Sequence, residues 1–226
     1  MREPVLSLLD ALKCCVAGII LSIVFTYASN ALDEANAKTL YEEADPVKLQ
    51  QLKEYAYADC WPPGYTVQDK VEILDEAKKD TLTELGGSVD VELKTGNLPM
   101  STAAQFVPNE KIIVFNEQVL EQATPLYALN TLFHEVFHSY EYEVAMIYAG
   151  LKAEDQRLIF FDEAEDYYYE FTHYVKGSVD ETAYRSQKIE VDSRRYSESM
   201  LQMYLDEYCA TSLERRKHVE IIEKDS

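Results

Sequence analysis

Residues 129–140 read LNTLFHEVFHSY, and the rest of the chain takes its meaning from this stretch. Thr124 and Pro125 precede it. A capping hydroxyl followed by proline at the first helical position starts an α-helix. Leu129, Leu132, Phe133, Val136, Phe137, Tyr140, Val144 and Ile147 then recur at helical spacing until Gly150. A helix is therefore expected from about residue 126 to 149, and its wide apolar stripe makes it central. Within it, His134, Glu135 and His138 form an H-E-x-x-H pattern. Residues four apart lie one turn above each other on one face. Both imidazoles can therefore reach one metal ion, at roughly 2.0–2.1 Å for zinc. Glu135 is turned by about 100° around the helix. Its carboxylate stands beside the open coordination position, where it can take a proton from attacking water and pass it to a leaving amine.

A chance match of this pattern in a chain of 226 residues is rarer than about one in a hundred. The competing reading is two core histidines with internal partners and a surface glutamate. It requires two of only four histidines to fall at this spacing by coincidence.

A catalytic zinc site takes three protein ligands and a water. Glu141 and Val144 stand where a third ligand close in sequence would need Gly and His, so the third ligand comes from elsewhere. Glu190 is the first choice. From Glu190, helical steps lead through Arg194, Ser197, Leu201, Tyr204 and Tyr208, an increasingly apolar face that turns Glu190 inward. An inward carboxylate needs a partner, and a cation is one. The alternative partner is Arg194 on the same face. Asp192 and His173 are lesser candidates for the ligand, and Asp162, Glu163 and Glu165 remoter ones.

Working outward, the fold class is α+β, with helices, a small three-stranded sheet, then helices. Residues 31–58 look helical, interrupted at Asp45-Pro46. CWPPGY at 60–65 is a loop. Thr66 caps a helix to about Leu85, ended by Gly86-Gly87. Val89, Val91 and Leu93 alternate with charged residues as a strand does, residues 100–107 suggest a second strand, and KIIVF at 111–115 a third, in a meander. Residues 154–175 suggest an acidic, tyrosine-rich helix, and a last long helix starts at Glu181 or Gln187. The chain divides into residues 1–31, an export signal or membrane anchor, and 32–226, one α+β domain with no internal boundary. Residues 14–28 (CCVAGIILSIVFTYA) carry no charge but are short for a membrane span. They fit the apolar part of a cleaved secretory signal, a membrane tether, or an apolar helix docked on the domain, and the expected location is secreted or envelope-associated. Cys60 and Cys209 could pair in such a compartment, or remain two separate thiols.

The composition sets limits. With 41 acidic and 21 basic side chains the net charge is −20, which excludes nucleic acid as the main partner because phosphate binding needs a basic surplus. Tyr184, His173 and Arg194 are candidates to steady a transition-state oxyanion, and His218 is given no catalytic role. Residues 167–169, three tyrosines among acidic neighbours, read either as a wall over the cleft or as a solvated helix face.

In these pieces the chain resembles the gluzincin class of zinc metallopeptidases, in its compact single-domain forms. The matching segments are KIIVFN at 111–116, the 129–140 stretch, and QKIEVDSRRY at 187–196. The resemblance spans residues 85–210 as an ordered set of elements. It implies a mainly helical zincin-like domain with the sheet preceding the active-site helix. It also implies that His134, His138 and Glu190 bind Zn2+ and that Glu135 is the general base of a zinc-dependent peptidase. The strand at 111–115 would then flank the cleft, either with an edge open to an extended peptide substrate or as an ordinary inner strand. Ser193 departs from the small-residue pattern, which favours Ala. The 52 residues from His138 to Glu190 are a longer gap than in the compact forms. Two other readings stand beside this one: a catalytically inactive zinc-binding regulator, and a metal-free envelope interaction protein on a helical scaffold.

Overall fold

The computed structural model describes residues 43–86, 91–157 and 162–224, with side chains to residue 213. The 14–28 segment, the boundary at 31 and the helix expected over 31–42 lie outside these, as do Val89 and the side chain of His218.

Local chemistry starts most helices where the sequence places them. Helix α1 spans Pro46–Ala58, and the Asp45 side chain caps it by accepting from the Val47 and Lys48 N–H groups. Helix α2 spans Val67–Glu84. Its start is a capping box: the Asp69 N–H donates to Thr66 Oγ1 at 3.2 Å, and the Thr66 N–H donates to Asp69 Oδ2 at 2.8 Å. Gly86, at φ +63°, follows its end.

Among the described residues the strands are β1 (Glu92–Gly96), β2 (Ala104–Val107) and β3 (Ile112–Asn116). They are not a meander. The order is β1-β3-β2, with β3 parallel to β1 and antiparallel to β2. The cause is the 97–103 connection, which carries the chain past the place β3 will occupy. Asn116, at the end of β3, gathers that connection by donating from Nδ2 to the carbonyls of Leu98, Pro99 and Thr102 at 3.0–3.1 Å. A tight turn at 108–111 then returns the chain between the two earlier strands, with Lys111 at φ +52°. The 111–115 strand is therefore an inner strand with both edges paired, and the expected open edge belongs to β2.

Asn116 also caps a short helix that the sequence does not announce, α3 (Glu117–Gln122). The CWPPGY loop docks there: Trp61 Nε1 donates to the Ala123 carbonyl at 2.8 Å, and Lys70 Nζ donates to the Leu120 and Glu121 carbonyls. Helix α4 (Pro125–Gly150) follows, capped by Thr124. The tyrosine-rich helix is shorter than expected. After α4 the Asp155 and Gln156 N–H groups turn back to the Lys152 carbonyl, and α5 spans Asp162–Thr172. The last helix is split at Gln187 into α6 (Glu181–Ser186) and α7 (Lys188–Lys224). Cys60 and Cys209 are both free. Among the described residues no helix is long and apolar enough to cross a membrane.

The main core joins α1, α2, the sheet, α4 and α7 through Leu52, Leu74, Ile113, Phe115, Leu129, Phe133 and Tyr204. A smaller cluster of Ala145, Tyr167 and Ile189 pins α5 between the end of α4 and the start of α7. In the main core Tyr204 meets Phe133 edge to face at 5.0 Å, lies under Lys53 Nζ, and donates its hydroxyl to Asp80 at 2.7 Å.

Burial, and then the Asp80 charge, push the Tyr204 phenol well above its ordinary value of 10.0; burial does the same to Tyr196. A raised folded pKa gives stability that is whole below the unfolded pKa and lost as pH rises above it. Denaturant unfolding followed between about pH 9 and pH 11 should therefore show a falling midpoint, with tyrosinate absorbance appearing together with loss of helix. Tyr204→Phe should cost about 1 kcal/mol at neutral pH and shallow the alkaline decline. A midpoint that stays level over that range would contradict this account.

Candidate metal centre

On α4 the i, i+4 spacing brings the two imidazoles to one face, with Nε2 of His134 and Nε2 of His138 3.0 Å apart. On α7, Glu190 lies opposite them. Its Oε2 is 3.5 Å from His134 Nε2 and its Oε1 is 3.6 Å from His138 Nε2. One donor atom from each of the three residues lies within 4.8 Å of the others, so the group can hold a metal ion.

Glu190 reaches this position because the first turn of α7 is held from outside. That turn has backbone N–H groups with no partner inside the helix. Glu170 of α5 supplies one: its carboxylate accepts from the Lys188 N–H at 2.8 Å and from the Ile189 N–H at 2.9 Å. An anion there also meets the positive end of the helix dipole. Ile189, beside Glu190, is buried against Ala145 and Tyr167. Lys188 binds both Glu163 and Asp192, and the Tyr167 hydroxyl donates to Asp192. The acidic, tyrosine-rich segment that lengthens the gap before Glu190 is thus the support of Glu190. Tyr167 points inward, while Tyr168 and Tyr169 face solvent.

Behind the imidazoles stand groups that the sequence reading did not single out as partners. Glu141 is fully buried, one turn beyond His138, and its Oε2 lies 2.8 Å from His138 Nδ1. Burial pushes the Glu141 carboxyl up to about 7; when ionised it only accepts, and a neutral His138 ring then carries its proton on Nδ1 and turns the Nε2 lone pair toward His134 and Glu190. Ser193, where the resembled pattern favours Ala, has a task of its own. Its hydroxyl donates to Glu141 Oε2 at 3.1 Å and lies 3.0 Å from His138 Nδ1. The i, i+3 spacing from His138 was the signal that could have found Glu141. No local pattern announces Ser193.

The field at the centre is negative. Burial would pull down the proton affinity of His138, but the Glu141 hydrogen bond and the charges of Glu141, Glu135 and Glu190 outweigh it and push the pKa to about 9. Burial would raise the Glu190 carboxyl, yet the His134 ring beside it, the His138 charge and the Tyr174 hydroxyl hold it down to about 2. The surroundings that favour a proton on the imidazole also favour a cation. Among the described residues two buried carboxylate oxygens have no hydrogen-bond donor, Glu190 Oε2 and Glu141 Oε1, and the first lies 3.5 Å from His134 Nε2. A buried oxygen left in this state is costly, and a cation between Glu190 and the two rings would satisfy it. Two imidazole nitrogens and one carboxylate oxygen suit zinc and other borderline divalent ions.

Glu135 leaves this group sideways, as the helix rotation requires. Its Oε2 accepts the Phe106 N–H of β2 at 2.7 Å. The other candidates for a third ligand stay apart. Asp192 is engaged by Lys188 and Tyr167, and Glu163 by Lys188. His173 is exposed, stacked on Tyr169 with centroids 4.3 Å apart. Asp162 and Glu165 lie near Tyr148. Arg194 approaches Glu190 Oε2 to 3.6 Å and also donates to the Arg185 carbonyl, so the anticipated ion pair exists beside the histidine contacts. The Tyr184 phenol faces Glu190 too, and burial first and that carboxylate second raise its pKa.

Protein-family models, curated proteins and solved structures were all compared with the chain, and none matches it; what can be said of function rests on the geometry of His134, His138 and Glu190.

Proposed function

We propose that the chain is a zinc-dependent peptidase of gluzincin type, with His134, His138 and Glu190 as metal ligands and Glu135 as general base. The observation that carries this reading is the buried Glu190 carboxylate, whose Oε2 lies 3.5 Å from His134 Nε2 and makes no hydrogen bond, and whose Oε1 lies 3.6 Å from His138 Nε2. When bound, the ion polarises a substrate carbonyl and makes water acidic enough to lose a proton near neutral pH. The chain's own residues do the rest. The Phe106 N–H occupies Glu135 Oε2 and leaves Oε1 to take the proton from attacking water and hand it to the departing nitrogen. β2 is an edge strand, and Phe106 turns its N–H away from β3 toward Glu135. An extended peptide laid along that edge would pass the carboxylate. Buried partners hold His138 and Glu190 in place before substrate arrives, which is what catalysis by positioning requires. The export reading of residues 14–28 belongs to the same proposal, with the peptidase acting in a secreted or envelope-associated setting.

Protein purified without added zinc, then reconstituted and dialysed, should carry close to one zinc per chain, and Glu190→Ala should lose most of it. Near-zero zinc in the wild type after reconstitution would favour the metal-free interaction protein. On a mixed peptide library Glu135→Gln should retain zinc and lose at least about a hundredfold in turnover. Equal behaviour of wild type and Glu135→Gln would exclude catalysis at this centre and leave the zinc-binding regulator.

Protons compete with a cation for imidazole nitrogens. Against the effect of burial, the carboxylates around His138 push its pKa up and so favour a proton on the ring, with which an incoming cation competes. Calorimetric titration of the cation in buffers of different ionisation enthalpy should therefore show proton release at neutral pH, and occupancy should fall as the solution is acidified. Full zinc occupancy at about pH 4 would contradict this.

A further inference from the structure

Tyr174 lies in the 173–180 connection between α5 and α6, outside any helix. Its hydroxyl donates to Glu190 Oε1 at 2.8 Å. The neighbouring residue, Val175, is gripped in both directions by one side-chain amide. The Val175 N–H donates to Gln187 Oε1 at 2.7 Å, and Gln187 Nε2 donates back to the Val175 carbonyl at 3.1 Å and to the Tyr184 carbonyl at 3.3 Å. Gln187 is itself buried. The connection lies close on the Tyr184 ring: a Cβ on Gly177 would stand 3.2 Å from Tyr184 Cδ1. The rings of Tyr174 and Tyr184 meet edge to face at 6.3 Å. Two backbone bonds, a glycine and a ring contact therefore fix where the Tyr174 phenol sits.

The two oxygens of Glu190 differ as a result. Oε1 has a phenolic donor at 2.8 Å, whereas Oε2, although buried, makes no hydrogen bond and has only the longer approaches of His134 Nε2 at 3.5 Å and Arg194 at 3.6 Å. We propose that Tyr174 is a positioning residue that, held by Gln187, turns Glu190 so that it meets a cation through Oε2 alone. This rests on the reading that His134, His138 and Glu190 hold a cation. Its consequence is an open coordination position. His138 Nε2 is only 3.6 Å from Oε1, so a carboxylate free of the phenol can offer both oxygens and fill the place that a reacting group needs. The connection between α5 and α6 thereby sets the coordination number from outside the ligand set.

The test uses Co2+ as a spectroscopic probe, and Zn2+ in competition with a chelator, on wild type, Tyr174→Phe, Gln187→Met and the exposed control Tyr168→Phe. Wild type and control should share the intense visible bands of a four-coordinate ion. Tyr174→Phe should give weaker bands of higher coordination and bind zinc about tenfold less tightly, with kcat reduced more than KM is changed. Gln187→Met should move the spectrum the same way while keeping the phenol. Should Gln187→Met fail to fold in a thermal melt, the spectrum of Tyr174→Phe still decides. A Tyr174→Phe protein with the wild-type spectrum and zinc affinity would overturn the proposal and leave the metal reading standing. A wild type that takes up neither ion would overturn both.

Discussion

The centre depends on one constraint, that the first turn of α7 cannot move. Glu170 accepts two of its free N–H groups, Ile189 is sealed against α4 and α5, and Gln187 ties its leading edge to Val175. These contacts come from a segment remote in sequence from the histidine pair. Their common effect is to deliver one carboxylate, Glu190, to a point fixed by α4. If the turn shifted by a residue, Glu190 would leave the imidazoles and a different face of α7 would meet them. A helix start with its N–H groups satisfied by a distant carboxylate is rigid in a way that a start left to water is not.

The second theme is the concentration of negative charge behind a pair of imidazoles. Glu135, Glu141 and Glu190 all bear on His138, and Glu141 and Glu190 are almost wholly buried. Buried anions persist when they are paired or when they bind a cation. Arg194 compensates part of the charge at Glu190 from the solvent side. The remainder falls on the imidazole protons or on an ion that replaces them. Each carboxylate has its own geometry: Glu141 orients a ring, Glu190 faces both rings, and Glu135 turns to the sheet edge. Identical side chains thus take different tasks from their angle around a helix and from their neighbours.

Much of this was open to reading along the chain. The histidine pair follows from a fixed 3.6-residue turn, and the same turn puts Glu135 to one side. The caps at Thr66 and Thr124 are short-range chemistry, complete within three or four residues. The inward direction of Glu190 follows from the apolar face below it on the helix. Other features were beyond such reading. Alternation of residues marks a strand but does not name its neighbour, so the order β1-β3-β2 depends on Asn116 closing the 97–103 connection. The break at Gln187 depends on an amide that finds Val175 only after the chain has folded.

By itself the sequence determined which side chains share a helix face and where most helices begin, because those are matters of periodicity and of hydrogen bonds a few residues long. Tertiary structure alone decided that Glu170 would cap α7, that Ser193 would join Glu141 behind His138, and that the Tyr174 hydroxyl would take one oxygen of Glu190 and leave the other without a hydrogen bond. Those contacts join residues 16 to 52 positions apart, and no local periodicity encodes a pairing whose partners are brought together only by the packing of α4, α5 and α7.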